Sequence, residues 1–328
     1  MYCTNVHKSE DFWQMLQVLN GPVAEVAKNV SPGRKYDIGL RISNSCAEKL
    51  VNDLEAFDLF VQTLKCNGLD TRHINGFPYG DFHARKVKED VYLPDWRSQE
   101  RVDYTIGIAH ILSKLMSPGE TATITTVPLA YKGTIGTDKM LANLEKAERF
   151  LASLHERTGK KIILAIEPEP DCLVEDLHSF LRFIRPAPYR GVCIDTCHAA
   201  VIGEPLDLIF DEYSRAGVNI ARIQISAAVV ALNEEAISPF LADDVYLHQR
   251  RGNRIHFHVP LYWDGDGDIA TTRDTITSSF ICKAISCDIP LEIETYTYDV
   301  LPEALRPSSV VDMIVKEELW LRKRLKEL

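Results

Sequence analysis

A carboxylate and an imidazole lie three residues apart at the end of an apolar run in the second half of the chain. The run is Val192-Cys193-Ile194, followed by Asp195 and then by His198. Such a run is typical of a strand covered on both faces, and an acid at its carboxyl end lies where loops build active sites. A carboxylate beside an imidazole suits Zn2+ or Mn2+ better than Ca2+. The alternative is structural: Asp195 caps the next helix and His198 pairs with it.

Three further side chains with potential oxygen ligands end other predicted strands, namely Glu167, Gln224 and Glu294. In a parallel barrel they converge with Asp195 at one mouth. Buried carboxylates repel and raise one another's pKa unless a cation neutralises them, so this set predicts a metal site. Each side chain also has a simpler interpretation. Glu167 would pair with a neighbouring loop, Gln224 would be a satisfied core amide, and Glu292 would point inward in place of Glu294.

Two histidines form a second group of candidate ligands in Arg254-Ile255-His256-Phe257-His258. In an extended segment His256 and His258 point the same way, which suits chelation of one ion. Alternatively, both lie on the polar face of a strand. The predicted metal ligands are Glu167, Asp195, His198, Gln224, His256, His258 and Glu294.

Candidate substrate contacts lie in the loops and at the end of the first predicted strand. His7 and His83 could reach the same mouth. Aromatic rings in the long loops could stack on a ring or polyol substrate; they belong to Phe77, Tyr79, Trp96 and Trp263. The alternative is that these rings pack the loops onto the barrel.

Apolar runs alternate with helical segments along the chain, which predicts an α/β fold. The predicted strands are 3–7, 37–43, 72–77, 123–128, 161–167, 191–195, 219–226 and 289–295. The predicted helices are 11–28, 46–66, 101–116, 138–157, 171–184, 205–215 and 308–328. This alternation favours a closed (β/α)8 TIM barrel over an open sheet. We predict one domain over residues 1–328, with long loops of functional type at about 75–101 and 227–287.

Composition and charge narrow the class of function. The formal net charge of -10 over 328 residues disfavours a nucleic-acid partner, since that affinity comes mainly from Lys and Arg. The 8 cysteines lack C-x-x-C spacing and are expected to be reduced. No leader or membrane-spanning segment is evident, so we expect a cytoplasmic protein with a small-molecule substrate and no membrane insertion. The phosphate-cradle, dinucleotide and nucleophile-elbow motifs are absent.

The order of these motifs over residues 161–295 resembles the xylose isomerase-like superfamily, which includes sugar and sugar-phosphate isomerases, epimerases and endonuclease IV enzymes. The resemblance implies that Glu167, Asp195, Gln224 and Glu294 bind a divalent metal. It also implies that His198, His256 and His258 correspond to the extra metal site of the endonuclease IV branch, where a D-x-H takes the place of this H-x-H. Gln224 departs from the pattern because isomerases usually have histidine there, and an amide oxygen binds transition metals more weakly.

Further motifs resemble the EboE family of metabolite-traffic proteins over the full chain. They are Tyr2-Cys3-Thr4-Asn5-Val6-His7, Asn75-Gly76-Phe77-Pro78-Tyr79-Gly80-Asp81-Phe82-His83, Val91-Tyr92-Leu93-Pro94-Asp95-Trp96, Glu167-Pro168-Glu169-Pro170 and Cys193-Ile194-Asp195-Thr196-Cys197-His198. This family belongs to a gene cluster linked to export of secondary-metabolite precursors. The resemblance implies a secondary-metabolite pathway and partner proteins within it.

We therefore expect a metal-dependent isomerase or epimerase, of the sugar-phosphate isomerase kind, acting on a small polyhydroxylated or carbonyl metabolite. Glu167 and Glu294 would flank the substrate and transfer the proton, and Zn2+ or Mn2+ would be the cofactor. Two alternatives stay open. One is metal-dependent phosphoester hydrolysis of the endonuclease IV kind, and the other is a non-catalytic barrel that binds a metabolite for a pathway partner.

Overall fold

The computed structural model describes residues 1–80, 82–83 and 86–327. Asp81, in the motif that runs from Asn75 to His83, and Leu328, at the end of the predicted final helix, lie outside the described residues.

Strands and helices alternate along most of the described chain. The strands are β1 Tyr36–Arg41, β2 Leu69–Asn75, β3 Thr121–Thr126, β4 Lys161–Ile166, β5 Arg190–Asp195, β6 Asn219–Ile225, β7 Ala228–Ala231, β8 Arg250–Arg251, β9 Arg254–His258, β10 Gly265–Asp266, β11 Ile269–Thr271 and β12 Leu291–Ile293. Strands β1 to β6 and β12 pair in that order in one parallel sheet. The sheet curls into a nearly closed barrel, which confirms the predicted fold class.

The first residues of the chain complete this barrel between β12 and β1. The Cys3 amide donates to the Ile293 carbonyl at 2.8 Å, and the Gly39 amide donates to the Tyr2 carbonyl at 2.9 Å. The predicted strand over 3–7 is wrong beyond this point, because Thr4–Val6 forms a 3-10 turn. The turn forms where the Thr4 hydroxyl, rather than a strand carbonyl, accepts the hydrogen bond of the Arg41 amide.

Helices cover the outside of the barrel, and others lie within the connections between strands. They are α1 Phe12–Val18, α2 Ala24–Val30, α3 Asn44–Asn52, α4 Leu54–Cys66, α5 Gln99–Leu115, α6 Thr137–Thr158, α7 Leu177–Phe183, α8 Thr196–Ile202, α9 Leu206–Arg215, α10 Glu234–Leu241, α11 Ser278–Ser286 and α12 Val310–Lys326. Among these described helices, none is long and apolar enough to cross a membrane.

Three predicted helices differ from the observed ones at capping or breaking residues. The segment 11–28 is interrupted around Gly21 and Pro22, where the backbone leaves helical geometry. The segment 46–66 is two helices, because the Asp53 side chain caps α4 by accepting from the Ala56 amide. The helix predicted from residue 171 begins only after Asp176, whose side chain caps α7. In the last two cases, a backbone amide that donates to a carboxylate fixes where the helix begins, although the spacing of apolar residues predicts an earlier start.

The connection predicted over 227–287 contains a second sheet in addition to helices α10 and α11. Strands β7 to β11 form this antiparallel sheet in the order β10-β11-β7-β9-β8. Its β7 strand follows barrel strand β6 almost directly, and β9 carries His256 and His258. The insertion therefore delivers two imidazoles to the barrel mouth from a regular strand.

A buried ion pair fills the barrel interior below the mouth. Arg222 of β6 donates to Glu292 of β12 at 2.9 Å, and both side chains are fully buried. Arg222 also donates to the Thr123 carbonyl at 3.1 Å. A Cβ at Gly39 would lie 1.4 Å from the Glu292 Oε1 atom, so only glycine leaves room for the pair. Glu292 is therefore held by an interior arginine.

We expect Gly39→Ala to destabilise the protein by roughly 3–5 kcal/mol, because the added methyl group displaces Glu292 and breaks a buried ion pair. Gly107→Ala is the matched control, since a Cβ there meets nothing closer than 3.9 Å. Urea unfolding followed by circular dichroism measures both variants. Wild-type stability in Gly39→Ala would contradict the position of Glu292.

Candidate metal centre

Three carboxylates from three parallel strands meet at the barrel mouth. Glu167 follows β4, Asp195 ends β5 and Glu294 follows β12. Each offers one oxygen within 4.8 Å of those of the other two, and all three side chains are buried. Glu292 pairs in register with Gln224, and Glu294 lies two residues further along, beyond the last strand residue. The strand ends thus bring Glu294, rather than Glu292, to the carboxylates.

Asp195 caps the following helix and also presents a carboxylate oxygen that is unpartnered among the described residues. Its Oδ1 atom accepts from the Cys197 amide at 2.7 Å and the His198 amide at 3.0 Å, which caps α8. The Ser226 hydroxyl donates to the same oxygen at 2.7 Å. The Oδ2 atom is buried and has no hydrogen-bond partner within the described residues. Asp195 therefore anchors the helix with one oxygen and leaves the other free for a ligand.

Glu167 also keeps a carboxylate oxygen that is unpartnered within the described chain, whereas Glu294 is held by two asparagines. The Glu167 Oε2 atom is buried without a hydrogen-bond partner in the part of the chain that the structure describes. Glu294 Oε1 accepts from the Asn5 amide nitrogen at 2.6 Å and from that of Asn75 at 3.0 Å. Burial, and after it the neighbouring carboxylates, raises the pKa of Glu167 and of Glu294 well above the usual range. A bound cation would remove this penalty.

Gln224 lies fully buried beside Asp195 in the strand register. Its amide oxygen accepts from the Cys193 thiol at 3.1 Å. Its Nε2 atom has no hydrogen-bond partner among the residues described. In this orientation the oxygen is engaged by a thiol, so Gln224 could become a metal ligand only after its amide group rotates.

The three predicted histidines meet beside the carboxylates, and each holds an acceptor at Nδ1. His198 Nδ1 lies 2.9 Å from the Pro168 carbonyl oxygen, and His258 Nδ1 lies 2.6 Å from the Glu294 carbonyl oxygen. His256 Nδ1 lies 2.6 Å from the Gln249 amide oxygen. Because these oxygens only accept, the proton of each neutral ring must be on Nδ1.

The Nε2 atoms of the same rings then face one another with their lone pairs. The distance from His256 Nε2 is 3.0 Å to His198 Nε2 and 3.2 Å to His258 Nε2. Burial lowers the pKa of His258 to about 4 and that of His256 well below its usual range, which favours neutral rings. Nitrogen ligands about 2.0–2.1 Å from a tetrahedral Zn2+ lie about 3.3 Å apart. The His198–His256 pair and the His256–His258 pair therefore each have the nitrogen spacing of two ligands that share one cation.

Alternative ligand sets overlap in this cluster. Asp195, His198 and His258 form one group of atoms within 4.8 Å, and Glu169, His198 and His256 form another. Asp195 thus belongs to the carboxylate set and to a histidine set. The geometry could accommodate one ion among mixed ligands or two ions that share Asp195.

Of the predicted substrate contacts, only Phe77 lines the cavity above these ligands within the described residues. His83 contacts Tyr246, a residue of the cavity wall: its Nδ1 atom lies 2.6 Å from the Tyr246 hydroxyl oxygen. His7 is buried against the Tyr2 hydroxyl at 2.9 Å. Trp96 is fully buried in the core, and Tyr79 and Trp263 pack partly buried against it. These last three rings follow the alternative interpretation that loop aromatics pack down.

Several site residues were not selected from the sequence. Glu169 lies buried with its Oε1 atom 3.5 Å from His256 Nδ1, and Asn5 reaches Glu294 from the 3-10 turn. Cys197 is within 4.8 Å of His256 and His258. Gln249 orients His256 and donates from Nε2 to the Tyr92 hydroxyl at 2.8 Å. The Glu167-Pro168-Glu169 repeat was the signal for Glu169, whereas nothing local marked Gln249.

Comparison with solved structures shows which fold this arrangement belongs to. The probable 3-DHS dehydratase AsbF of Bacillus anthracis matches with a TM-score of 0.55 and 14% identity, over 98% of this chain and 97% of the other. A xylose isomerase-like TIM barrel protein of Mycobacterium smegmatis, in complex with magnesium, matches with a TM-score of 0.55 and 12% identity over 96% and 89%. The fold is a xylose isomerase-like TIM barrel.

Another xylose isomerase-like neighbour, IolI, was solved with a bound zinc atom. It matches with a TM-score of 0.51 and 14% identity, over 99% of this chain and 96% of the other. No family model matches the sequence, and no curated protein matches it. The likeness therefore lies in the fold.

A buried acid on α12 braces the loop that follows Glu294. Glu317 Oε1 accepts from the Thr295 hydroxyl at 2.7 Å and from the Leu261 amide at 3.1 Å. Burial raises the pKa of Glu317 to about 8. The folded protein therefore keeps a proton on Glu317 that the unfolded chain releases at a lower pH.

The contribution of Glu317 to the free energy of unfolding should consequently fall as the pH rises from about 4.5 to about 8, because this carboxyl group holds its proton in the folded protein and loses it in the unfolded chain. Glu317→Gln should remove up to about 4 kcal/mol of this dependence. Urea unfolding at pH 5 and pH 8.5 tests it. Glu156→Gln, an exposed position on α6, is the control. An unchanged pH dependence in Glu317→Gln would show that another group titrates.

Loss of the His256 partner should weaken metal binding. We expect Gln249→Leu to lower Zn2+ affinity by about 10–100-fold, because the ring loses the acceptor that fixes its tautomer. Competition with a chromophoric chelator measures the affinity. Gln99→Leu, at an exposed position on α5, should leave the affinity unchanged. Equal affinities in both variants would argue against His256 as a ligand.

Proposed function

We propose that this protein is a metal-dependent isomerase or epimerase acting on a small polyhydroxylated or carbonyl metabolite. The observation that carries the proposal is the convergence of unpartnered acceptors at one barrel mouth. Asp195 Oδ2 and Glu167 Oε2 are buried without a hydrogen-bond partner among the described residues, and three imidazole lone pairs face one another beside them. Burying so many acceptors is costly unless a cation binds them.

Glu167 and Glu294 are the proposed proton-transfer groups. Both line the cavity above the ligand cluster, where a substrate would lie. Glu167 presents an oxygen without a donor, which suits removal of a proton from carbon. Glu294 is oriented by Asn5 and Asn75, so its carboxyl group is fixed in position. Two carboxyl groups on one cavity can take a proton from one carbon and return it to the neighbouring carbon or the opposite face.

The ligands proposed for Zn2+ or Mn2+ are Glu167, Asp195, His198, His256, His258 and Glu294, with Gln224 after rotation of its amide. A bound ion would act as a Lewis acid on the substrate oxygens. Asp195 and the histidines would hold the centre, because their other polar atoms are fixed by α8, by backbone carbonyls and by Gln249. Neighbours named as epimerase-like and dehydratase proteins support this class of reaction on this fold.

The motifs shared with the EboE family support a place for this reaction in a secondary-metabolite pathway. Asn5 and Asn75 from two of those motifs contact Glu294 directly, and Glu169 from a third lies against His256. We propose that these motifs encode the site rather than a separate surface.

Proton transfer can be tested by exchange of substrate hydrogen for deuterium in D2O with small hydroxy-carbonyl compounds. Glu167→Gln and Glu294→Gln should each reduce exchange by about 100-fold or more, because each removes one proton-transfer group. Metal content is measured on the same samples to separate loss of the base from loss of the ion. Glu235→Gln, at an exposed position on α10, is the control. Full exchange in both site variants would contradict the proposed roles.

Metal-dependent phosphoester hydrolysis is a second candidate, favoured by the overlap of the carboxylate and histidine sets at Asp195. Two ions that share a carboxylate can stabilise the attacking and leaving oxygens of a displacement. Two or more ions per chain, together with release of phosphate from a small phosphoester, would support this candidate over isomerisation.

A further inference from the structure

The cavity above the ligand cluster has a polar floor and largely apolar walls. About 510 Å³ of space outside the protein atoms belongs to it, a figure that includes open solvent. The floor consists of three carboxyl groups, those of Glu167, Glu169 and Glu294, together with the three histidines. The walls are formed mainly by Phe77, Phe82, Val87, Val91, Tyr246 and Tyr296. A ligand must therefore direct its polar atoms toward the floor and its apolar part toward the walls.

Three of the wall rings pack on one another and form a fixed surface. The ring centroids of Phe82 and Tyr246 are 5.2 Å apart, and those of Tyr246 and Tyr296 are 5.0 Å apart. The ring centroids of Phe82 and Tyr296 are 5.5 Å apart. Tyr296 also lies 4.7 Å from the His258 ring. The apolar wall thus begins directly at the ligand cluster.

Among the described residues that line this cavity, Lys88 is the one cationic side chain. Its ammonium group donates to the Asp243 carbonyl at 2.9 Å and to the Tyr246 carbonyl at 2.7 Å. Two of its three hydrogens are therefore engaged, which leaves one for a ligand. Phosphate groups are usually held by several donors or by an arginine fork. The described walls match a flat apolar ring better than a phosphate group.

We propose that the substrate is an unphosphorylated cyclic compound with two adjacent oxygen substituents. The oxygens face the floor, where they reach the ion, and the ring lies against Phe82, Tyr246 and Tyr296. This inference rests on the proposed metal-dependent function and narrows its substrate class. It excludes open-chain sugar phosphates as substrates.

Two probes separate these classes: catechol, a flat ring with adjacent oxygens, and dihydroxyacetone phosphate, an open-chain phosphorylated hydroxy-ketone. Each is titrated calorimetrically into Zn2+-loaded protein whose metal content is measured before and after. We expect catechol to bind about tenfold more tightly or better. Tighter binding of dihydroxyacetone phosphate by the loaded protein overturns the substrate class and leaves the metal centre intact.

A wall variant shows whether the ring, rather than simple chelation of the ion, gives the preference. Phe82→Leu should weaken catechol binding by about tenfold while dihydroxyacetone phosphate binds as before. Phe180→Leu, a buried phenylalanine of α7 that packs on Tyr213 away from the cavity, is the control. Equal catechol affinity in both variants would overturn the proposal. Protein that binds no Zn2+ at all would instead refute the proposed function, and the substrate class with it.

Discussion

The mouth of this barrel is dominated by one electrostatic constraint: acceptors are buried together without enough donors. Glu167 and Asp195 each keep one buried oxygen without a hydrogen-bond partner among the described residues, and the Nε2 atom of His256 faces those of His198 and His258. In a medium of low dielectric constant such an arrangement is unfavourable by itself. The fold must supply stability elsewhere to maintain it, and a bound cation would relieve it. This imbalance distinguishes the mouth from the balanced Arg222–Glu292 pair deeper in the barrel.

The surrounding structure holds each acceptor in place through its other polar atom. Asp195 is fixed by α8, and Glu294 is fixed by two asparagines. His198 and His258 are fixed by backbone carbonyls, while His256 depends on Gln249. Such outer partners set the tautomer and orientation of metal-binding histidines. The side chains at the mouth are therefore held in position by residues that are distant in sequence, such as Asn5 in the first turn and Gln249 before β8.

The loop over residues 75–101, the segment before β8 and the segment after β12 form apolar walls above the polar floor of the mouth. Their aromatic side chains lie over the acidic cluster. Excluding water strengthens the interactions between charges and dipoles below them. The acidic floor also repels anionic ligands that carry no cation with them, which agrees with a neutral substrate.

The sequence by itself determined the barrel and most of the polar side chains that meet at its mouth, because strand periodicity and the rule that strand ends build the mouth are local properties. Glu167, Asp195 and Glu294 followed from that rule, and alternation in His256-x-His258 predicted that both rings point the same way. The tertiary structure decided the rest. The chain cannot reveal locally that Asn5 reaches Glu294, that Gln249 holds His256, or that Trp96 is core, because each contact joins distant segments. It also decided that Glu292 pairs with Arg222, since the barrel closes around that pair and only Gly39 leaves space for it.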